Sequence, residues 1–428
     1  MISQEKSSFY GVWKSLYRFL PFKLKIRFMV LIFLMAFSAF AEIVSIGLVI
    51  PFLSAITSPD VIFNQSYLQP ALNFFSIESN AALIKFLTAI FCMAAIFSAG
   101  LRLLTLWVQT RFCYSIGADL SAQIYKNSLY QSYSVHVSRN SSEYISTIVA
   151  KTTASTSFAI LPVLNILSSG FVLLAVTITL IAIQPFVALS ALFVFGSLYG
   201  LVILVTRNKL DIDSKKISHE QDQVIKILQE GFGSIRDILV SNTQEVYLRS
   251  YRTSFSSLQK AWANVEIIKG TPRYVIEALG IIAIALLALH FSTQPNGMVS
   301  AIPILGAMAL GAQRILPILQ LIYSSLSSLR AGFSSLLDVI IMLEEPTNEV
   351  LTKAENSLVE FNHQITLQNL QFKYSDDGPW ILDGINLSIP KGGILGIIGS
   401  TGSGKSTLTD ILMGLLHPNA GSFFVDDI

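Results

Sequence analysis

Gly399-Ser400-Thr401-Gly402-Ser403-Gly404-Lys405-Ser406-Thr407 fits the pattern in which glycine, four free positions and a second glycine precede Lys and Ser/Thr. Before it, Ile394-Leu395-Gly396-Ile397-Ile398 is a short apolar run between glycines and reads as a buried strand. After it, Leu408, Ile411, Leu412 and Leu415 recur at helical spacing as far as His417-Pro418, where a helix would stop. Strand, glycine loop and helix in that order are the context in which such a loop works. Glycines let successive backbone N–H groups curl around an anion, and the helix N-terminus adds its partial positive charge. Lys405 would reach the terminal phosphates and Ser406 would ligate Mg²⁺. A chance Gly/Ser turn is the bland alternative; with the flanking pattern satisfied, the stretch reads as a nucleoside triphosphate site.

Composition excludes a soluble protein for most of the chain. Charged residues make up 13% of the 428 positions, about half the roughly 25% usual in globular proteins. Hydrophobic residues reach 52%, and the mean hydropathy is +0.59. A net charge of +2 is too small to point to nucleic acid as a partner. The two cysteines, Cys92 and Cys113, fall on one expected helix about 30 Å apart, so they cannot pair within it.

Taken from the start, Tyr10, Trp13, Tyr17 and Leu20 line one helical face while Lys14 and Arg18 lie off it, the pattern of an interfacial helix within residues 1–27. Six apolar stretches follow, at Phe28–Ile56, Ala81–Phe112, Ser157–Ile183, Phe186–Thr206, Tyr274–Phe291 and Val299–Leu326. Each approaches the ~20 residues needed to cross a bilayer. Lys and Arg concentrate on one side: before the first stretch, between the second and third, and between the fourth and fifth. The opposite loops, Thr57–Asn80, Gln184–Pro185 and Ser292–Met298, contain none, so both termini are expected in the cytoplasm. In the first outer loop Phe63, Tyr67, Ala71 and Phe75 stand four apart, which suggests a helix on the outer interface. The two inner connections, Tyr114–Thr156 and Asn208–Thr271, carry few Gly or Pro and read as helical hairpins that project tens of ångströms.

The pattern changes after a linker at 331–361. From Gln364 strands are expected: Ile365 and Leu367, then Leu370, Phe372 and Tyr374, alternate, and Ile385, Leu387 and Ile389 alternate again. Gly421 opens a last short strand, Ser422–Val425.

Six spans with long cytoplasmic hairpins, followed by Phe372-Lys373-Tyr374 and then Gly399–Thr407, resemble an ABC transporter of the exporter type. The resemblance covers the whole chain. It implies a membrane-embedded, all-α six-helix domain (28–330) followed by the N-terminal part of an α/β P-loop nucleotide-binding domain (362–428). It implies ATP with Mg²⁺ as cofactors, Tyr374 stacked on the adenine ring, and short helices near Ser138–Ile145 and Gly231–Leu239 that touch the nucleotide domains. One six-span unit with one nucleotide domain is half a transporter, so a homodimer is implied as well. Glu42 with Val49-Ile50-Pro51-Phe52, Arg102, Pro272-Arg273-Tyr274 before Glu277, and Arg314 with Pro317 are similar to the lipid-linked oligosaccharide flippases, which move polyprenyl-diphosphate glycans across bacterial inner membranes. Ionisable groups inside a span cost at least a few kcal/mol unless paired or facing water. Arg102 and Arg314 on a cavity wall would therefore suit an anionic head group, since guanidinium matches phosphate bidentately. That Glu42 pairs with an arginine only to hold helices together stays open.

The family's glutamine loop, signature, Walker B acids and switch histidine are not among these residues, and Asp426 and Asp427 come too early to be the Walker B pair. The chain is thus expected to be the first part of a longer protein and not to hydrolyse ATP by itself. Export or flipping of a lipid-linked or amphipathic substrate is the leading expectation. A peptide, drug or glycolipid exporter, or a truncated nucleotide-binding membrane protein that transports nothing, are the alternatives.

Overall fold

Twelve α-helices and three strands can be followed in the computed structural model, which describes residues 9–48, 51–52, 79–183, 185–292, 297–346, 360–375, 377–426 and 428. In chain order they are α1 (Phe9–Phe19), α2 (Phe22–Gly47), α3 (Asn80–Leu129), α4 (Tyr133–Ser138), α5 (Ser141–Ile145), α6 (Thr152–Ser155), α7 (Leu161–Ile183), α8 (Pro185–Gly233), α9 (Ile235–Ser241), α10 (Gln244–Ser292), α11 (Gly297–Leu343), β1 (Gln364–Phe372), β2 (Leu382–Pro390), α12 (Lys405–Leu412) and β3 (Ala420–Val425). They divide into two units, Met1–Ala122 with Ser146–Met342, and Gln123–Ile145 with Leu343–Ile428.

The regular elements described in the first unit are all helices. Among the described residues five helical segments are long and apolar enough to cross a membrane: Phe22–Gly47, Asn80–Leu129, Ser141–Ala182, Leu192–Gly233 and Ile315–Leu343. The fifth expected span, Tyr274–Phe291, lies on α10, which does not meet that measure among its described residues. The outer helix expected around Phe63, Tyr67, Ala71 and Phe75 lies outside the described residues. Residues 331–343, read from sequence as linker, continue α11 to Leu343. Large apolar side chains such as Phe33, Ile96, Phe193 and Val205 stand exposed on these helices, as expected of surfaces that face hydrocarbon.

Ile46, Val176, Phe195, Tyr199, Ile276, Ile315, Leu319 and Tyr323 form one core cluster and tie α2, α7, α8, α10 and α11 together. Its two tyrosines are buried with their hydroxyls satisfied: Tyr199 donates to Gln320 Oε1 at 2.8 Å and Tyr323 to the Ile268 carbonyl at 3.0 Å. Farther along α8 and α10, Leu210, Ile217, Leu258, Ala261 and Val265 pack the two helices as a hairpin against Ala331. On α1 Val12 and Leu16 are buried, and Tyr17, on the aromatic face, is exposed with Lys25 Nζ 4.8 Å from its ring centre.

Between α5 and α7 the helix widens into two π turns, Ser146–Lys151 and Thr156–Ile160. Gly332 of α11 lies so close to the second that a Cβ there would stand 2.8 Å from the Phe158 carbonyl carbon, and a Cβ on Gly117 of α3 would collide with Thr156. Lys151, in the first turn, is buried and donates at 2.7 Å to both Asp222 on α8 and Asp338 on α11. Ser218 also donates to Asp338. A buried ammonium is tolerated because two carboxylates hold it.

The second unit contains an antiparallel sheet of order β2-β1-β3. Gln364 pairs with Pro390 and Phe372 with Leu382 on one side of β1, and Ile365 pairs with Val425 on the other. Both pairings slip after Leu367, around Asn369, whose φ is +46°. This irregularity returns Leu370 to the face of Leu367 despite their odd spacing. Leu367, Leu370, Phe372 and Leu382 then pack on Ile411 of α12 and on Leu416 beyond its end. The Asp426 carboxylate accepts backbone N–H bonds from Asn362, His363 and Gln364 at 2.6, 2.7 and 2.8 Å, closing the end of the sheet. The strand expected at Ile394–Ile398 does not form: the segment is irregular, and Ile394 and Ile398 are exposed. No described strand lies beside it, and an apolar run becomes a strand only where a neighbour pairs its N–H and C=O groups.

Candidate functional site

The glycine loop, Gly399–Gly404, leads directly into α12 with Gly404 as its N-cap. Gly402 and Gly404 have φ of +85° and +84°, a conformation open to glycine at little cost. A Cβ on Gly404 would also meet Leu382 Cδ2 at 2.9 Å and the Ile381 carbonyl at 3.0 Å. Space and backbone both demand glycine there. Lys405 Nζ donates to the carbonyls of Gly399 and Ser400 at 2.8 and 2.7 Å, which lays its ammonium over the loop. Ser400, Thr401, Ser403 and Ser406 are exposed around it, and Thr407 is buried in the first turn of α12. A concave backbone, an ammonium over it and an exposed serine hydroxyl at the helix start are what a phosphate chain with a divalent cation needs, so these residues fit such a ligand.

Tyr374 belongs to the same place. Its hydroxyl lies 3.1 Å from Thr407 Oγ1, and its ring meets Phe372 edge-on at 5.0 Å. Half of its surface is exposed, so a ring face is open to stacking. Nearby, Lys373 Nζ lies 5.1 Å from the ring centre of Trp380, a pair that spacing alone did not single out.

In the first unit, Glu42 and Arg102 are brought together as an ion pair, and Ser98 Oγ donates to the same carboxylate at 2.9 Å. Glu42 is 5% exposed and Arg102 47%, so the guanidinium is held on one side and open on the other. It lines a cavity of about 260 Å³ with Ser38, Gln109, Asn165, Ser169 and Pro317. Gln109 and Asn165 are hydrogen-bonded to each other across α3 and α7. Arg273 and Glu277 pair at 2.9 Å beside a second cavity, of about 280 Å³, that shares Pro317 with the first. The side chain of Arg314 lies outside the described residues.

Residues 382–428 match the ABC transporter family. The match implies ATP binding and falls within the second unit. The chain is 38% identical over 119 residues to the alpha-hemolysin translocation ATP-binding protein HlyB of Escherichia coli, which covers 27% of this chain and 16% of that protein. It is 36% identical over 119 residues to the exotoxin translocation ATP-binding protein PaxB of Pasteurella aerogenes, again 16% of that protein. With the ATP-dependent lipid A-core flippase of Chromohalobacter salexigens it shares 25% identity over 239 residues, 54% of this chain and 40% of the flippase. The chain therefore spans well under two thirds of the length of the relatives it matches. Similarity to ABC exporters, together with several apolar helices, points to an integral membrane protein.

The second unit also includes α4 and α5, close to the position expected for one contact helix at Ser138–Ile145. Tyr133 packs on the sheet core, and with His136, Lys373, Tyr374 and His417 it lines a cavity of about 680 Å³. Arg139 binds Glu345, and Gln131 donates to the same carboxylate at 2.6 Å. Sequence reasoning missed Tyr133 and Gln131; an aromatic within the polar run Gln131-Ser132-Tyr133-Ser134 was the signal available. Near the second position expected for such a helix, Gly231–Leu239, a short helix does form: α9, Ile235–Ser241, in the first unit.

Proposed function

We propose that the chain forms the membrane domain (28–330) and the first part of the nucleotide-binding domain (362–428) of an ATP-driven exporter or flippase for a lipid-linked or amphipathic substrate. In finer terms the cargo is a polyprenyl-diphosphate glycan. The carrying observation is Arg102: a guanidinium within an apolar helix, held by the buried Glu42 and half open to a cavity with Ser38, Gln109 and Asn165. An arginine in that setting is costly unless it serves a ligand or pathway, and an anionic head group is its natural complement. Glu42 fixes the orientation without covering the guanidinium. Arg314, the other arginine expected to serve the substrate, would add a second cation.

Gly399–Thr407 and Tyr374 would hold ATP, with Ser406 on Mg²⁺. Bound ATP would supply the free energy that changes the exposure of the cavity. Lys405 would exchange its two carbonyl partners for phosphate oxygens, and Tyr374 would offer its open ring face to the base. A homodimer in a bacterial inner membrane, with both termini and the residue 1–27 helix on the cytoplasmic side, completes the reading.

Arg102→Gln in the full-length protein, reconstituted in proteoliposomes, tests it. Transport of a polyprenyl-diphosphate glycan and its stimulation of ATPase activity should fall about tenfold or more, the scale of one lost charge-assisted contact. Unchanged stimulation would remove the cavity from the mechanism. Stimulation by an amphipathic peptide instead of the glycan would favour the reading suggested by the hemolysin and exotoxin translocators.

A further inference from the structure

The hairpin of α8 and α10 carries a second charged groove, far from the glycine loop in sequence and distinct from the Arg102 cavity. Arg249, Arg252 and Lys260 stand three and eight residues apart on α10, close enough to helical repeats to share one face. Lys216 faces them from α8, and the four cations line a cavity of about 550 Å³. All four are exposed, and among the described residues none is paired with a carboxylate. Thr253, Ser256 and Ser257 put hydroxyls between them. The nearby acid on this face, Glu220, is already engaged by Ser257 Oγ at 2.8 Å.

The groove is held in register from beneath. Leu210, Ile217, Leu258, Ala261 and Val265 pack the two helices together, and Asn264 donates to Asp213 at 3.3 Å. Four like charges on one hairpin repel one another, and among the described residues no protein acceptor takes their side-chain donors. We infer that this groove binds a multiply charged phosphate anion. Two arginines offer planar forks and two lysines offer point charges, the donors that phosphate oxygens accept; Ser256 adds a hydroxyl, while those of Ser257 and Thr253 already donate to Glu220 and to the Arg249 carbonyl. Arg249 to Lys260 extends roughly 16 Å along the helix, room for a chain of phosphates.

The same chemistry is presented by a free polyphosphate and by a phospholipid head group. Counting from Tyr274, where the fifth span is expected to begin, Lys260 stands roughly 20 Å and Arg249 roughly 37 Å along α10. That depth favours the soluble source.

Both sources are tested in full-length protein carrying Lys405→Ala, so that the glycine loop does not contribute. Sodium tripolyphosphate and dioctanoyl phosphatidic acid are titrated separately by calorimetry in detergent. Tripolyphosphate should bind, and Arg252→Gln with Lys260→Gln should weaken it about tenfold or more, with a shallower salt dependence. Arg236→Gln, on α9 and outside the groove, should change nothing. If only the phosphatidic acid binds, and the same double variant abolishes it, the groove is a head-group site and the phosphate assignment stands. Binding of neither probe, or an equal loss in Arg236→Gln, overturns it. Thermal unfolding of each variant checks the fold; should the double variant be unstable, Arg249→Gln alone provides the comparison.

Discussion

At the scale of single residues, Asp426 illustrates how one side chain can hold a sheet end. Its carboxylate pKa is lowered by the backbone N–H of Asn362, and by those of Gln364 and His363, which together outweigh the opposing effect of desolvation. A carboxyl whose folded pKa lies below its unfolded value stabilises the fold in full above the unfolded pKa, near 3.9, and loses that contribution as pH falls through the folded one. Hydrogen exchange at residues 362–364 should therefore be faster in Asp426→Ala than in the unaltered chain at neutral pH, and the difference should shrink as pH drops below about 4. Equal exchange at neutral pH would mean the three bonds protect nothing. The sequence suggested only what Asp426 is not. Its role depends on a φ of +54° and on partners more than sixty positions earlier, which no local pattern reveals.

Helices and strands were legible in proportion to how local their cause is. The long apolar helices, the pairing segments of β1, β2 and β3, and the helix after the glycine loop follow from spacing alone. Ile394–Ile398 did not, because pairing partners are a property of the neighbourhood. The two π turns gave no signal either: Ser146 to Ile160 is a mixture of small polar and apolar residues that an ordinary helix would also accept. They depend on what lies opposite, notably Gly332. Gly332→Val would drive its side chain into the Phe158 backbone, which cannot swing aside as a side-chain tip would. A loss of about 1–3 kcal/mol is expected, read as a lower unfolding midpoint of the detergent-purified protein. An unchanged midpoint would show that α11 can shift away freely.

For the whole molecule, the orientation proposed from the distribution of cations is one that a labelling experiment reads directly. With Cys92 and Cys113 replaced by serine, a single cysteine at the exposed Val240 of α9 should resist a membrane-impermeant maleimide in intact cells and react after permeabilisation. Reaction in intact cells would invert the topology. The candidate sites divided along the same line of locality. The glycine loop announced itself because one contiguous stretch contains nearly all of its chemistry. Glu42 and Arg102 were individually conspicuous as charges in apolar helices, while their pairing, the Gln109–Asn165 bridge and the Lys151–Asp338 contact join residues far apart in sequence.

The widened turns at Ser146–Lys151 and Thr156–Ile160 also leave a mark on descent. Each behaves as one residue inserted into an α-helix, with the helix on either side otherwise unaltered. Losing one position inside such a turn restores ordinary winding and keeps both flanks in phase, whereas the same loss within α7 would turn everything beyond it by about 100°. Single-residue length changes among related proteins should therefore gather in these two short windows and be rare between them and Ile183.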